Sequence, residues 1–191
     1  MKLVFDYMPR AYDTPNDVEA RDHMANASTL GGLALANAFL GLNNSMAHKL
    51  VTYHHIPHGW ANAVILTRVM RYNASEKPTR MGTFPQYDYP KTLHRYAEAA
   101  RWCGVSGSDD AEVFEKFITK ITELFDHVGV KHTIAEYGVD EKYFLDTLDE
   151  MTENAFNDQC TGTNPRYPLI PEIKELYLDA YYGRPASSYD A

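Results

Sequence analysis

Histidines are concentrated in one short stretch of the chain. Four of the eight lie within eleven residues, namely His48, His54, His55 and His58. Neutral imidazole is the commonest protein ligand for zinc and iron(II), so this composition suits a metal site. The spacing favours a simpler interpretation, in which these histidines make ordinary hydrogen bonds in the core or at the surface. Pro57 interrupts any helix that would place His54 and His58 on one face, and no His-Glu-x-x-His pattern follows.

His58 is the best candidate ligand among the four. It lies between Pro57 and Gly59, where a new helix is predicted to begin. The positive end of a helix dipole disfavours a protonated ring and so keeps the imidazole in the neutral form that binds metals. The alternative is an ordinary polar residue at a helix start.

A second candidate is Cys160, which lies in a loop with Asp158 and Asn164. Cys160 suits a nucleophilic thiolate by residue type, but no histidine lies near it in sequence. A small apolar side chain in a loop that closes over the core is the favoured interpretation. The only other cysteine is Cys103, so a disulfide framework is not expected. Two such cysteines fit a reducing compartment, and we expect a cytoplasmic protein.

The elements that must position these residues are predicted to be helices. Apolar residues recur at helical spacing, and no segment alternates with period two over the length of a strand. We therefore expect an all-α fold, a helical bundle with short connections. Capping residues are predicted at Asn16, Ser108 and Asp140. The predicted helices cover about 1–12, 17–40, 45–53, 58–72, 91–103, 109–127, 141–156 and 171–182.

We expect one all-α domain at 1–183, followed by a polar tail at 184–191. Gly31 and Gly32 fall in the middle of the second predicted helix, where each glycine costs about 1 kcal/mol relative to alanine. Their presence is best explained by another backbone or a ligand that approaches closely.

Charge and hydropathy exclude several classes of function. The net charge is −8 and no basic patch stands out, so nucleic acid is not expected as a main partner. The most apolar run, 30–42, is shorter than the ~20 residues that span a bilayer, and no signal peptide precedes the acid at position 6. A helical chain without a glycine-rich phosphate loop or a βαβ unit is not expected to contain its own dinucleotide site.

Several segments resemble the iron-containing alcohol dehydrogenases. These segments are SMAHKL, HIPHGWANAVIL, MRYNA, FPQYDYP, AFNDQCTGTNPRYPLI and LDAYYG. The resemblance covers 1–183 in order, and it is strongest to the alcohol dehydrogenase part of the bifunctional aldehyde–alcohol dehydrogenases. The family has an N-terminal α/β domain that binds NAD(P) and a C-terminal helical domain that contributes half of a metal site. This chain resembles only the helical domain, so an α/β nucleotide-binding domain is its expected partner.

The resemblance also implies roles for individual residues. His58 matches a family ligand to Fe(II) or Zn, whereas Asn44 stands where the family has the second histidine. His48 matches a histidine proposed to relay a proton. Cys160 and Asn164 match the loop that borders the substrate pocket. The implied function is NAD-dependent interconversion of short primary alcohols and aldehydes.

An asparagine oxygen is a weak ligand for these metals, so we expect weak metal binding and no catalysis by the chain alone. Two other interpretations remain open. One is a non-catalytic helical assembly or interaction module derived from the family. Relatives in the family form filaments, and a bare domain interface promotes association, so a homo-oligomer is expected. The other, a generic all-α metal-binding domain, depends on the histidine cluster alone.

Overall fold

The computed structural model of the chain describes residues 1–75 and 91–184. Within these ranges the regular structure is helical and no strand occurs, which confirms the predicted all-α class. Two short 3-10 helices lie at Ala135–Tyr137 and Thr161–Thr163. The α-helices are α1 (Lys2–Asp13), α2 (Val18–Ala38), α3 (Leu42–His54), α4 (His58–Asn73), α5 (Thr92–Trp102), α6 (Asp110–His127), α7 (Glu141–Phe156) and α8 (Ile170–Tyr182).

The helices divide between two compact units. The first unit comprises Met1–Phe39 and Leu93–Gly129, and the second comprises Leu40–Thr92 and Val130–Ala191, so far as the structure describes them. The second unit contains every candidate site residue. The assignment of 1–183 to one domain stays a prediction, and most of the predicted polar tail lies outside the described residues.

The first unit has its core along α6. Five apolar residues at helical spacing in α6 are buried, which are Val113, Phe114, Phe117, Ile118 and Ile121. Two predicted caps are each wrong by one residue. Asp17, not Asn16, caps α2 by accepting a hydrogen bond from the N–H of Ala20. Asp109, not Ser108, caps α6 by accepting one from the N–H of Glu112. In both cases two neighbouring residues are of a type that caps well, and the sequence does not distinguish them.

The second half of α2 contradicts part of the expectation for Gly31 and Gly32. Within the described part of the chain, no atom outside the helix lies within 4 Å of a Cβ built at either glycine. Leu30 and Leu33 on the same helix are both 57% exposed. The close approach expected at these glycines is therefore not made by the described residues.

The second unit packs α3, α4, α7 and α8 around one core. One face of α4 is buried in this core, at Ala61, Val64, Ile65, Val69 and Met70. Tyr177 of α8 is fully buried and its hydroxyl donates to the carbonyl oxygen of Met46, 2.9 Å away in α3. This bond joins α8 to α3 two residues before His48. Asp140 caps α7 as predicted, by accepting a hydrogen bond from the N–H of Tyr143.

The connection between α3 and α4 is tight. His55 ends α3 in the left-handed conformation, with φ of 57°. The N–H groups of His55 and Ile56 return to the carbonyl oxygens of Val51 and Leu50, as in a Schellman-type ending. Pro57 then precedes the first residue of α4, as predicted. The turn thus ends one histidine-bearing helix and begins the other within three residues.

No helix among residues 1–75 and 91–184 has the combination of length and apolar character needed to span a membrane.

Candidate active site

Two of the four clustered histidines come together and two do not. The rings of His48 in α3 and His58 in α4 stack with their centroids 5.5 Å apart and their planes 17° apart. His54 instead packs against Tyr143 and Phe144 of α7, and burial lowers its pKa. His55 closes α3 in the left-handed conformation. The histidines outside the stacked pair thus have structural roles.

His48 is held by a carboxylate from a distant part of the chain. Its Nδ1 lies 3.1 Å from Oδ2 of Asp158, and Nζ of Lys49 donates to the same oxygen at 2.9 Å. The other carboxylate oxygen, Oδ1, accepts from the backbone N–H of Cys160 at 3.0 Å. Asp158 is therefore the centre of a small polar network that joins α3 to the loop after α7.

The charge of Asp158 is strongly favoured. Burial would raise the pKa of this carboxyl, but the hydrogen bonds from the Cys160 N–H, Lys49 and His48 outweigh burial and hold the pKa well below its ordinary value of 3.8. Asp158 is therefore ionised at every pH at which the protein would work.

Cys160 does not have the properties of a nucleophile. It is 7% exposed, and burial together with the neighbouring Asp158 raises the pKa of its thiol to about 11. Ligand atoms of His48, Asp158 and Cys160 all lie within 4.8 Å of one another, so the histidine partner that is absent nearby in sequence is present in space. The thiol stays protonated at neutral pH and is a small buried side chain, as favoured from the sequence.

The same three residues have the composition of a metal site, but their surroundings oppose a cation. The ammonium group of Lys49 already forms an ion pair with the Asp158 carboxylate. A divalent ion bound to the same carboxylate would be repelled by this positive charge at close range. The cluster is a hydrogen-bond network centred on one carboxylate.

The loop that carries Asp158 is fixed to α3 by a buried hydroxyl pair. Oγ1 of Thr161 lies 2.7 Å from Oγ of Ser45 and 2.6 Å from the carbonyl oxygen of Ala155. Thr161 and Ser45 are both almost completely buried. Since buried polar groups without partners are costly, this pair fixes the register of the loop against α3.

The predicted metal ligand His58 is exposed, and its ring is already hydrogen-bonded. Nε2 of His58 lies 3.1 Å from Nδ2 of Asn62, one helical turn later. Oδ1 of Asn62 in turn accepts from Nδ2 of Asn43 at 2.8 Å. Within the described residues, Oδ1 of Asn43 is buried without a hydrogen-bond partner. An amide chain that begins at Asn43 in α3 thus ends on Nε2 of His58.

The donor groups of this chain do not by themselves fit the predicted iron site. Metal sites of this kind need three or more good ligands. At the two expected ligand positions the chain offers one imidazole, His58, and one neutral amide, Asn44, near the start of α3. An amide oxygen is a poor donor for iron(II) or zinc. The donor set of this chain alone therefore supports no metal-dependent step.

Asn164, expected beside a substrate pocket, is 1% exposed, and its amide is engaged within the protein. Oδ1 accepts from the backbone N–H of Leu42 and from Nδ2 of Asn73, at 3.1 and 3.2 Å. Nδ2 donates to Oδ1 of Asn73 and to the carbonyl oxygen of Arg166, at 2.7 Å each. The amide joins the start of α3, the end of α4 and the loop. Its pocket role stays a prediction, and so does that of Cys160.

Gly41 leaves the space that the side-chain amide of Asn164 needs. A Cβ built at Gly41 would lie 2.8 Å from Oδ1 of Asn164, closer than real Cβ contacts come. Glycine is thus needed at position 41 for a local steric reason, which the sequence alone did not reveal.

Sequence reasoning missed three residues of the site, Asn43, Lys49 and Asn62, and it noticed Asp158 only as a neighbour of Cys160. Asn62 had a usable signal, because residues four apart on a helix are neighbours and it follows His58 at that spacing. Asp158 and Lys49 lie 109 residues apart, and only the fold brings them together.

Comparison with known proteins identifies the family. The model of the Fe-containing alcohol dehydrogenase family, C-terminal part, matches residues 1–181. The bifunctional aldehyde-alcohol dehydrogenase AdhE of Escherichia coli (strain K12) is 46% identical over 187 residues, which cover 96% of this chain and 21% of that protein. The aldehyde-alcohol dehydrogenase of Clostridium acetobutylicum is 44% identical over 186 residues, which cover 97% and 22%.

Solved structures agree with this result. The iron-containing alcohol dehydrogenase of Thermococcus thioreducens is 36% identical, with a TM-score of 0.78 over 95% of this chain and 42% of that chain. A 1,3-propanediol oxidoreductase is 30% identical, with a TM-score of 0.79 over 94% and 43%. The chain spans about a fifth of the curated relatives and less than half of the solved ones. With the family model matching nearly all of its length, the chain belongs to the Fe-containing alcohol dehydrogenase family and corresponds to its C-terminal helical domain.

Proposed function

We propose that this chain is the helical domain of an NAD-dependent, metal-dependent alcohol dehydrogenase that interconverts short primary alcohols and aldehydes. The names of its relatives support alcohol and aldehyde chemistry. In this proposal an α/β domain supplies the main NAD site and the remaining metal ligands, and His58 is the ligand from this chain. The chain alone is inactive, because one imidazole and one amide hold a metal poorly.

The observation that carries the proposal is the stacked pair of His48 and His58. His58 is exposed, so a second domain can reach it, and the side chain of His48 is 36% exposed. Oxidation of an alcohol to an aldehyde requires the hydroxyl proton to leave, and a histidine near neutral pH is suited to accept it. We assign this step to His48. Cys160 and Asn164 shape the pocket wall, Cys160 as a neutral thiol and Asn164 through the backbone it holds.

The test joins this chain to the α/β domain of the E. coli alcohol dehydrogenase region and follows ethanol-dependent reduction of NAD. The chain alone is expected to show no activity, and the joined protein is expected to show little. Asn44→His should raise metal occupancy and activity at least about tenfold, because it restores an imidazole donor. His48→Gln in that active protein should lower kcat by about a hundredfold or more.

Asp146→His is the matched control. Asp146 is an exposed residue of α7 whose contact is with Lys142, so a histidine there adds an imidazole away from the site. An equal gain from both histidines would contradict the assignment of position 44 as a ligand. A joined Asn44→His protein that holds metal but oxidises no alcohol would contradict the proposed function.

A second function is favoured by two specific observations. The proposed ligand position 44 holds asparagine instead of histidine, and the first unit exposes large apolar side chains of α2 and the residue after it, with Leu33 57% and Phe39 63% exposed. We propose as the alternative a non-catalytic module that self-associates as a homo-oligomer through this surface. Sedimentation of the chain and of Leu33→Asp tests it. Association that the variant abolishes, together with an inactive joined protein, would favour this alternative.

We further propose a cytoplasmic location, which the two free cysteines support. Fractionation of cells should recover the native protein with the cytoplasmic contents, and recovery from the medium or from an extracytoplasmic compartment would contradict the proposal.

A further inference from the structure

We propose that Asp158 is a positioning residue that locks His48 in the tautomer with its proton on Nδ1, so that Nε2 presents a lone pair. This inference rests on the proposed role of His48 in proton transfer and names the group that makes that role possible.

The geometry defines the direction of the hydrogen bond. An ionised carboxylate only accepts hydrogen bonds, so the 3.1 Å contact requires that Nδ1 of His48 carries the hydrogen. In a neutral imidazole the other nitrogen is then an acceptor, and the partner of one nitrogen decides the state of the other. The free histidine side chain in water favours the opposite tautomer, with the proton on Nε2. The hydrogen bond to the carboxylate must therefore outweigh this intrinsic preference of the ring.

Asp158 is itself fixed firmly enough to do this. Its side chain is 10% exposed and that of Lys49 is 18% exposed, so the solvent screens their ion pair poorly. Oδ1 is held by the Cys160 N–H and Oδ2 by Lys49, and the depressed pKa of Asp158 keeps the carboxylate charged. The hydroxyl pair of Thr161 and Ser45 fixes the loop. The acceptor therefore has a defined place and charge before any substrate arrives.

The chemical consequence concerns the free nitrogen of the ring. A His48 with its hydrogen on Nε2 would present a donor there and could not take a proton from an alcohol. With the hydrogen on Nδ1, Nε2 presents a lone pair that can accept one. This is the arrangement in which a carboxylate orients a histidine base.

The test is a nitrogen-15 NMR measurement on the full 191-residue chain, recorded at a pH at which the His48 ring is neutral. The two ring nitrogens have distinct shifts when protonated and unprotonated. We expect a protonated Nδ1 and an unprotonated Nε2 in the wild type, and a shift toward protonated Nε2 in Asp158→Ala. Lys49→Met, which removes the neighbouring charge but keeps the carboxylate, and Asp146→Ala, which removes a distant exposed one, should both keep the wild-type tautomer.

A wild-type ring protonated on Nε2 would overturn the inference, and so would an Asp158→Ala protein that keeps the proton on Nδ1. If Asp158→Ala does not fold, the wild-type spectrum still decides. A merely structural role for Asp158 would leave the tautomer unchanged in any folded variant. The measurement needs no activity, so a joined protein that fails to oxidise alcohols would contradict the proposed function and leave this result intact.

A kinetic measurement on the active joined protein extends the test. Asp158→Ala should lower kcat by about a hundredfold with a smaller change in KM, because it acts through the base and not through substrate binding. The double variant Asp158→Ala with His48→Gln should be no slower than His48→Gln alone, since one acts through the other. Additive losses would overturn the inference.

Discussion

Asp158 carries its charge in a largely buried position, and that has a consequence for stability as well as for chemistry. Its pKa in the folded protein is lower than in the unfolded chain. A group of this kind stabilises the fold at any pH above its unfolded pKa of about 3.9, and the stabilisation is lost as the pH falls through that value and toward the folded pKa.

Asp158→Asn should therefore lower the free energy of unfolding by about 1–3 kcal/mol near neutral pH, because bonds to a charged acceptor are weakened. The loss should be constant down to about pH 5 and should shrink below about pH 4, where the wild-type carboxylate is protonated on unfolding. Urea unfolding of both proteins across this range measures it. Asp146→Asn, at an exposed carboxylate, should show no comparable change. A difference that persists undiminished in acid would contradict the prediction.

Gly41 and Gly31 differ in the space around them: a Cβ at Gly41 would meet another residue, and a Cβ at Gly31 would meet none that the structure describes. Gly41→Ala should lower the free energy of unfolding by about 1–3 kcal/mol, since its Cβ would meet Oδ1 of Asn164 at 2.8 Å and break a buried hydrogen bond. Gly31→Ala should raise it by about 0.5–1 kcal/mol, because the helix gains a better former and no described atom is in the way. Thermal and urea unfolding of the isolated chain measure both. Equal effects of the two substitutions would contradict the structure at one of them.

The site residues that sequence reasoning found were those recognisable by type. His48 and His58 were singled out as histidines and from the resemblance, and the structure stacks their rings. The Asp158 carboxylate, which lies against Nδ1 of His48, was noticed only as a neighbour of Cys160. A contact between residues 110 positions apart leaves no local pattern in the sequence. Burial of the thiol, which decides that Cys160 is not a nucleophile, is likewise a property of the fold.

At the scale of elements, helix ends were predictable to within a few residues. Gly104 and Gly183 follow their helices with positive φ, as C-terminal glycines do. Helix α3 begins three residues earlier than predicted, at Leu42, because Gly41 supplies the extended residue before it. Two adjacent asparagines near its start obscured this in the sequence, since asparagine is a weak helix former.

The corrected cap of α6 can be tested directly. Asp109→Ala should destabilise the protein by about 1 kcal/mol, because Oδ1 of Asp109 satisfies the N–H of Glu112 at 2.8 Å. Ser108→Ala should cost less than half as much, since the Ser108 hydroxyl bonds to side-chain carboxylates among the described residues and not to a backbone N–H of the helix. Comparison of the two urea midpoints decides between the caps. A larger loss from Ser108→Ala would restore the original assignment.

At the scale of the whole molecule, the metal site proposed above would be shared between this chain and a second domain. Calorimetric titration with zinc(II) should give no binding tighter than about 1 μM, which corresponds to about −8 kcal/mol. Asn44→His should tighten binding measurably, and Asp146→His should not tighten it to the same extent. Sub-micromolar binding to the wild-type chain that depends on His58 would contradict the prediction that the donor set is too poor.

The amide of Asn164 also has a kinetic consequence. It bonds to Leu42 and Asn73, which precede it by 122 and 91 residues. Contacts that close such long loops are expected to form late, after the folding transition state. Asn164→Ala should therefore accelerate unfolding, by about 30-fold for a loss of 2 kcal/mol, and leave the refolding rate almost unchanged. Stopped-flow measurements in urea would reveal the reverse if the amide acts early. The lifetime of the folded second unit therefore depends on the buried side chain of Asn164. Resistance to proteolysis, which acts on the unfolded chain, depends on it as well.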